Sequence, residues 1–533
     1  MTSNSGMIIQ DIRGQFEQML DYVTGEEART ATADHIECGL FKMLLKMGAK
    51  LLYLFFVKRS EASSREALQL ERGEEIPYER DRRRIYFSIF GKIPLMRPYF
   101  YQEGKGGRFP LDGELSLGED SYSDLLREIL DYLGVYTVYG KSCDIMKRVL
   151  ELGLSSRVVQ ENIADDATEV EAYYAQKAPP KPEEEAEILV IQADGKGVPL
   201  ILEKEAEGMK KAKGKDKKKK KGKKVKQGQQ KVRLGKGEKH GHKKEAIVTT
   251  VYTIQMAVRT PAEVVASFFE LPEYPKPPLE HDSKPQSKHL WATLDGKDTA
   301  LDRLSIQVAQ RQGPHILYKV ALCDGCEALQ TRIAIHFPDF VILLDLVHAS
   351  EYLWDVANCL LGENHPEREP WMADHVLKLL SGQTQSVIAD FRLLAQKPKI
   401  KVALRKQLNK TANYFERNLP FMDYPTALAN GWPIASGVIE GACRHLVKDR
   451  CELSGMRWNQ SGAESLLRLR AVAENEDWDA YHTYRKQQRH SRLYASPYPS
   501  QQVFEAQAMY TPPSTQPALS THPSNYKKLP LAA

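Results

Sequence analysis

Two aspartates that close apolar runs are the first residues in this chain whose setting suggests chemistry. Asp194 ends "ILVIQAD" and Asp324 ends "ILYKVALCD", and each precedes a glycine. Asp-Gly alone signals only a turn, and Asp112 and Asp295 also precede glycine. Asp112 follows the loop-like "GRFPL", and Asp295 follows the ambiguous "HLWATL". Carboxylates brought together at a sheet rim repel one another unless a cation neutralises them. Oxygen-only ligand sets suit Mg²⁺ or Mn²⁺ rather than zinc. Two such ions about 3.5–4 Å apart can activate a water or hydroxyl and stabilise the leaving oxygen of a phosphodiester. A third acid delivered on a helix completes such a set, and Glu440 in "SGVIEGACRHLVKDR" is the natural choice. Ile439, Ala442, Cys443, Leu446 and Val447 form the apolar side of that helix, and Glu440, Arg444 and Lys448 recur at i, i+4 and i+8 on another face. The pattern fits a surface helix with an i,i+4 ion pair. The sharper reading, which the residues alone favour less, puts Glu440 on a metal and the two cations on neighbouring phosphates.

The elements that must position these acids are legible as periodic runs. "ILVIQAD" and "GVPLILE" flank Asp194-Gly195, a hairpin signal that competes with a strand ending in an acid. "AIVTTVYTIQMAV" reads as the next strand. "CEALQTRIAIHF" supplies a helix between "ILYKVALCDG" and "FVILLDLVH", which predicts a parallel βαβ unit. Residues 348–430 are helix-rich. Earlier, 1–70 read as helical, and 82–102 as a strand pair with interleaved basic and aromatic residues. The stretch 39–59 carries Lys42, Lys46 and Lys50 every fourth residue, an amphipathic helix rather than a lipid span. "SCDIMKRVLELGLSSRVVQENI" (142–163) has a helix-turn-helix pattern broken at Gly153; it is either a DNA reader using Arg157, Gln160 and Asn162 or an ordinary helical hairpin. The acidic, Pro-rich 164–187 reads as a linker, and the Pro-, Ser- and Gln-rich end as a disordered tail.

Charge is unevenly spread. Met209 to Lys244 holds 17 Lys and one Arg against Asp216 and Glu238, a net of +16 in a chain of 533 residues that totals +5, so the rest carries −11. Such blocks are disordered and contact polyanions, nucleic acid first among them. Seven scattered cysteines suit a reducing cytoplasm better than a disulfide framework, and "MTSNSGMIIQDIRGQ" lacks the apolar core of a signal peptide. Cys323 and Cys326 lack a second pair at zinc-finger spacing. His240 and His242 sit in a cationic loop that repels metal, and "GKGVP" lacks phosphate-loop spacing.

"QADGKG", "CDGCEALQ", "LDLVHASEYLW" and "GWPIASGVIEGACRHLVKDRCELSGMRW", in this order, resemble bacterial insertion-sequence DDE transposases. The ISKra family is the closest match, and the pattern is similar to the larger Mutator-like and hAT group; it covers roughly 185–482. The resemblance implies an α/β, RNase H-like (retroviral integrase-like) catalytic domain with a helical insertion, preceded by a mainly α-helical DNA-binding region. It implies Asp194, Asp324 and Glu440 as catalytic metal ligands for two Mg²⁺ (or Mn²⁺) ions. "LDLVH" matches a C/D(2)H signature, giving Asp345 and His348 as near-site residues; as a bare sequence, they fit a helix N-cap and an interfacial histidine. DNA contacts would come from Arg157, Gln160, Arg444, Lys448, Arg457 and Trp458, with Arg468 and Arg470 also in reach of phosphate; Trp458 could instead pack the sheet flank. The implied activity is cleavage and strand transfer at the terminal inverted repeats of an insertion sequence. The implied partners are those repeats and target DNA, in a homodimer or larger synaptic assembly, cytoplasmic and nucleoid-associated, with no membrane. The alternatives are a nuclease or resolvase of the same fold, or a non-catalytic DNA-binding regulator. The domains expected are 1–120 helical with a strand pair, 121–163 DNA-binding, 164–187 linker, 188–482 catalytic (Lys-rich loop 203–245, helical insertion about 350–430), and tail 483–533.

Overall fold

The apolar runs of the second half become the five strands of one mixed sheet. They are β1 (Ile188–Leu200), β2 (His242–Ile254), β3 (Gln286–Thr293), β4 (Tyr318–Cys323) and β5 (Val341–Leu344). The spatial order is β5-β4-β1-β2-β3. β1, β2 and β3 pair antiparallel in sequence, whereas β4 lies parallel to β1 and β5 parallel to β4. The helix Glu327–His336 crosses between β4 and β5, as the βαβ reading expects. In this computed structural model, residues 4–69, 74–201, 242–274 and 284–494 are described. The chain is thus mixed α/β, with a helical N-terminal region.

Strand alternation divides the sheet's two faces. Ile188, Val190, Val320 and Leu322 pack against the helices of residues 346–429, and Leu189, Ile191, Ala193 and Ala321 against Lys297–Gln310 and Glu327–His336. The expected helical insertion is therefore a lid of helices over one face: Leu346–Leu360, Arg368–Leu380, Thr384–Gln396, Val402–Asn418 and Tyr424–Ala429.

Several sequence expectations change here. Asp194-Gly195 is no turn: β1 runs straight through it, paired with β2 from Ile188↔Ile254 to Leu200↔His242. The signal misleads because Gly195 sits in extended backbone, where it merely tolerates close approach of the Glu245 side chain. The strand β2 begins at His242, so 242–245 leave the expected Lys-rich loop; residues 202–241 lie outside the described residues. The linker 164–187 contains the helix Val170–Gln176, whose Val170, Tyr173 and Tyr174 are buried. The tail does not start at 483. The helix Trp478–Tyr494 buries Tyr481, His482, Arg485, Arg489 and His490, and 495–533 lie outside the described residues.

The 121–163 segment is no detached module. Its helices Asp124–Tyr136, Tyr139–Leu150 and Ser156–Asp166 share one core with β1, β2 and the helix Gln460–Glu474, with Leu126, Leu130, Val159 and Ile163 packed beside Leu446 and Leu467. The break falls at Glu151, which adopts φ 57°, rather than at Gly153. Ahead of this core, α1 (Asn4–Thr24) and α2 (Ala33–Ala62) form an antiparallel pair tied by Lys50–Asp11. The strands Tyr78–Ser88 and Gly91–Gln102 realise the expected strand pair. Within it Arg82 lies over the Tyr99 ring and Arg97 over Phe109, so part of the basic and aromatic interleaving is internal packing. Among the described residues no helix is long and apolar enough to cross a membrane.

Candidate active site

The parallel register brings the two predicted aspartates side by side across 130 residues of sequence. β1 and β4 pair up to Gln192↔Leu322, and continuing that register two residues aligns Asp194 with Asp324. β4 and β5 pair up to Cys323↔Leu344, and one residue further aligns Asp324 with Asp345. Neighbouring strands lie about 4.8 Å apart, so three carboxylates crowd together where β4 and β5 end beside the middle of β1. Alternation carries Asp194 and Asp324 onto the face of Val190, Val320 and Leu322, beneath the helical lid.

Each acid is held differently. Asp194 is half-buried; its Oδ1 accepts from Gly195 N at 2.6 Å and its Oδ2 from the Cys443 thiol at 3.3 Å. Asp324, also half-buried, accepts from Cys326 N at 3.1 Å. Burial pushes the Asp324 carboxyl above its ordinary range, and the charges of Asp194 and Asp345 add to the effect against the Cys326 N–H. Asp345 is fully buried and saturated with donors: Val347 N at 2.9 Å, Ser436 N and Oγ, and His348 Nδ1 at 2.7 Å. Burial works against its charge, but the His348, Ser436 and Val347 bonds outweigh it and hold Asp345 below the usual carboxylate range. The same Asp345 bond raises His348 to about 9, so at neutral pH it is an imidazolium beside the acids.

Glu440 arrives from the far side. Its short helix Gly437–Ala442 is pinned at Ile439 N, which donates to Gln192 Oε1 at 2.9 Å, and at Ser436, which bonds Asp345. The expected straight helix then loosens into a π-helical turn, Cys443–Lys448. Such turns re-aim side chains and recur at functional sites. Ile439, Ala442, Cys443, Leu446 and Val447 are buried as the pattern requires, while Glu440, Arg444 and Lys448 face solvent. Ligand atoms of Glu440, His348 and Asp345 lie within 4.8 Å of one another. That set, rather than Asp194, Asp324 and Glu440, is the compact one: Glu440 leans towards the imidazolium. Asp194, Asp324 and Glu440 do not close on a common point.

Asp194, Asp324 and Glu440 suit hard cations. Among the described residues no lysine or arginine pairs with any of them, and their oxygens retain lone pairs beyond the bonds named. Repulsion between Asp194 and Asp324 is what a divalent ion would relieve.

The DNA contacts expected from sequence divide sharply. Arg444, Lys448 and Arg457 are exposed, and Arg444 is drawn towards Asp449 at 3.6 Å. Trp458 is not available for stacking on a base. It is 7% exposed, bridges β1 through Pro199 O, and donates its ring N–H to Cys451 O at 3.1 Å. Arg470 is likewise buried and spends its guanidinium on the carbonyls of Leu446, Val135 and His445 rather than on phosphate. Arg468 is 3.6 Å from Glu464. Arg157 and Gln160 face solvent, with Arg157 bonded to Glu161 at 2.6 Å, but Asn162 is buried and unable to read a groove. Asp295 stands exposed beyond the edge strand β3, two strands away from Asp194.

Five further residues position the site, although sequence analysis assigns them no such role. Gln192 is wholly buried, bonding Ile439 N and Tyr252 Oη; an amide inside an apolar run was the available signal. Ser436 and Cys443 touch acids that lie far away in sequence. Tyr414, from the lid, covers Gly325 so closely that a Cβ there would meet its ring at 2.3 Å, and Arg417 bonds Gly325 O. The glycine after Asp324 serves this approach rather than a turn.

A second cluster, Asp131, Asp166 and His482, also has ligand atoms within 4.8 Å of one another, but it is wholly buried. Arg127 and Arg485 both bond Asp166. Burial raises Asp166, yet the two guanidiniums outweigh it and hold it at about 2, while burial and Asp166 push Asp131 well up. His482 is pressed down to about 3 by burial and by Arg485. Cationic side chains already fill the role that a metal would have.

Comparison with known protein-family models and with curated protein sequences gives no match to this chain.

Proposed function

We propose that this chain is a DDE transposase with an RNase H-like catalytic domain, cutting and joining DNA at the ends of an insertion sequence. The observation that supports it most is the sheet: order β5-β4-β1-β2-β3, three antiparallel strands first, then two parallel ones, with one acid midway along β1, one directly after β4 and a third on a late helix. Asp194 and Asp324 would be the primary holders of two Mg²⁺ or Mn²⁺ ions, with Glu440 as the third ligand. Ions held there would supply Lewis-acid activation of a water or of the DNA 3′-hydroxyl and stabilisation of the leaving oxygen of the phosphodiester. Cys443 and Gly195 N fix the rotamer of Asp194. Asp345 orients His348 and, through Ser436, the helix of Glu440. Exposed Arg444, Lys448 and Arg457 lie where backbone phosphates would pass. The Lys-rich insert joins the end of β1 to the start of β2, beyond Asp194, and adds salt-sensitive affinity for DNA. The working form is cytoplasmic and nucleoid-associated, with two copies holding two element ends.

The test is purified protein with Mg²⁺ or Mn²⁺ and duplexes carrying the sequences that flank the gene. Both cleaved and joined products are expected, and Asp194→Asn or Asp324→Asn should lower both at least 1,000-fold while leaving the fold intact. Nicks without joined product would favour a hydrolytic nuclease. A cellular function untouched by Asp194→Asn would favour a DNA-binding regulator.

A further inference from the structure

The helical pair α1/α2 is under-buried for its composition. Phe16, Leu20 and Val23 on α1 and Phe41, Leu44, Leu51 and Phe55 on α2 are each 37–55% exposed. They are not scattered. The α2 residues fall at 41, 44, 51 and 55, the 3-4 spacing of a coiled-coil seam, whose remaining position, Gly48, is covered by the Phe90 ring. On each helix the stripe lies roughly 140° round from the α1/α2 contacts Asp11–Lys50 and Tyr22–Gly39, in the same rotational sense along the chain. Because the helices run antiparallel, both stripes open to one side. Between Phe41 and Phe55 the α2 stripe has no charge, whereas Lys42, Lys46 and Lys50 lie off it. A solvated helix face does not look like this.

We propose that this side is where two copies of the chain meet, hairpin on hairpin, in a four-helix arrangement. Two features select a second copy over another partner. The stripe's ends carry opposite charges, with exposed Asp34 and Glu37 in the first turns and Lys58 in the last, so a two-fold antiparallel pairing sets acid against base at both ends. The apolar side chains offer on the order of 600 Å² per copy, close to the ~800 Å² per partner of a standard interface once flanking residues join. The inference rests on the helices alone and its readout is mass, so it and the transposase reading fail separately.

Sedimentation velocity on the full chain at tens of micromolar should give twice the 60.5 kDa of one copy. Leu44→Glu with Leu51→Glu should weaken self-association at least 30-fold without loss of helical circular dichroism, since neither side chain is buried. Glu37→Lys should weaken it about 5-fold, and adding Lys58→Glu should restore it. A monomeric wild type overturns the proposal, as does a dimer indifferent to the double glutamate variant, or one weakened by Glu37→Lys but not restored.

Discussion

The molecule holds two knots of acidic side chains that are alike in composition and opposite in design. Asp131, Asp166 and His482 sit in the interior, and two guanidiniums supply the counter-charge. Asp194, Asp324 and Glu440 sit at a sheet rim, where among the described residues no lysine or arginine neutralises them. The first is a finished structure. The second is charge held in reserve for something that arrives from solvent. The first is also the more compact, but the source of the opposite charge is what separates their designs.

The largest way to sharpen this contrast is to remove a guanidinium. Arg127→Met leaves Asp166 buried with one partner fewer and should lower stability by about 3–5 kcal/mol, whereas Asp194→Asn relieves repulsion and should leave stability unchanged or slightly higher. Urea unfolding of both variants checks it; equal losses would erase the distinction between the clusters. Next, Mn²⁺ at a hundred times its dissociation constant should stabilise the wild type by about 2.7 kcal/mol. The shift should vanish in Asp194→Asn and persist in His482→Gln. A metal response that instead followed His482 would transfer the ion to the interior.

The contrast can also be sharpened through pH. His482 titrates at about 3 when folded, below the ordinary 6.5, so between those values the unfolded chain binds the extra proton. Stability from this group is full above 6.5 and declines as pH falls towards 3, with a slope of up to about 1.4 kcal/mol per pH unit. His482→Gln should flatten the slope in that window. An unchanged slope would mean that the ring is not held neutral.

Much of the scaffold around the open cluster is legible in the sequence, because strand alternation and apolar helix faces are local properties. "VALCD" and "VILLD" had to be buried strands ending in acids, and Ile439, Ala442, Cys443, Leu446 and Val447 had to be one inner face. The Asp-Gly hairpin signal failed at Asp194 because it scores a dipeptide, while 13 residues of pairing with β2 decide the backbone. Trp458 and Arg470 failed as DNA contacts for a related reason: their burial depends on β1 and on helices of the 121–163 segment, hundreds of residues away.

By itself, then, the sequence determined which residues are apolar at which period, where an acid must fall at a strand end, and that seven cysteines form no framework. Only the tertiary structure decided which acids are neighbours, that Gln192 and Ser436 clamp the helix of Glu440, and that Asp166 belongs to arginines 39 and 319 residues distant. Periodicity is written within a few turns of chain, whereas counter-charge comes from whichever element happens to pack alongside. Local patterns carry no record of that choice.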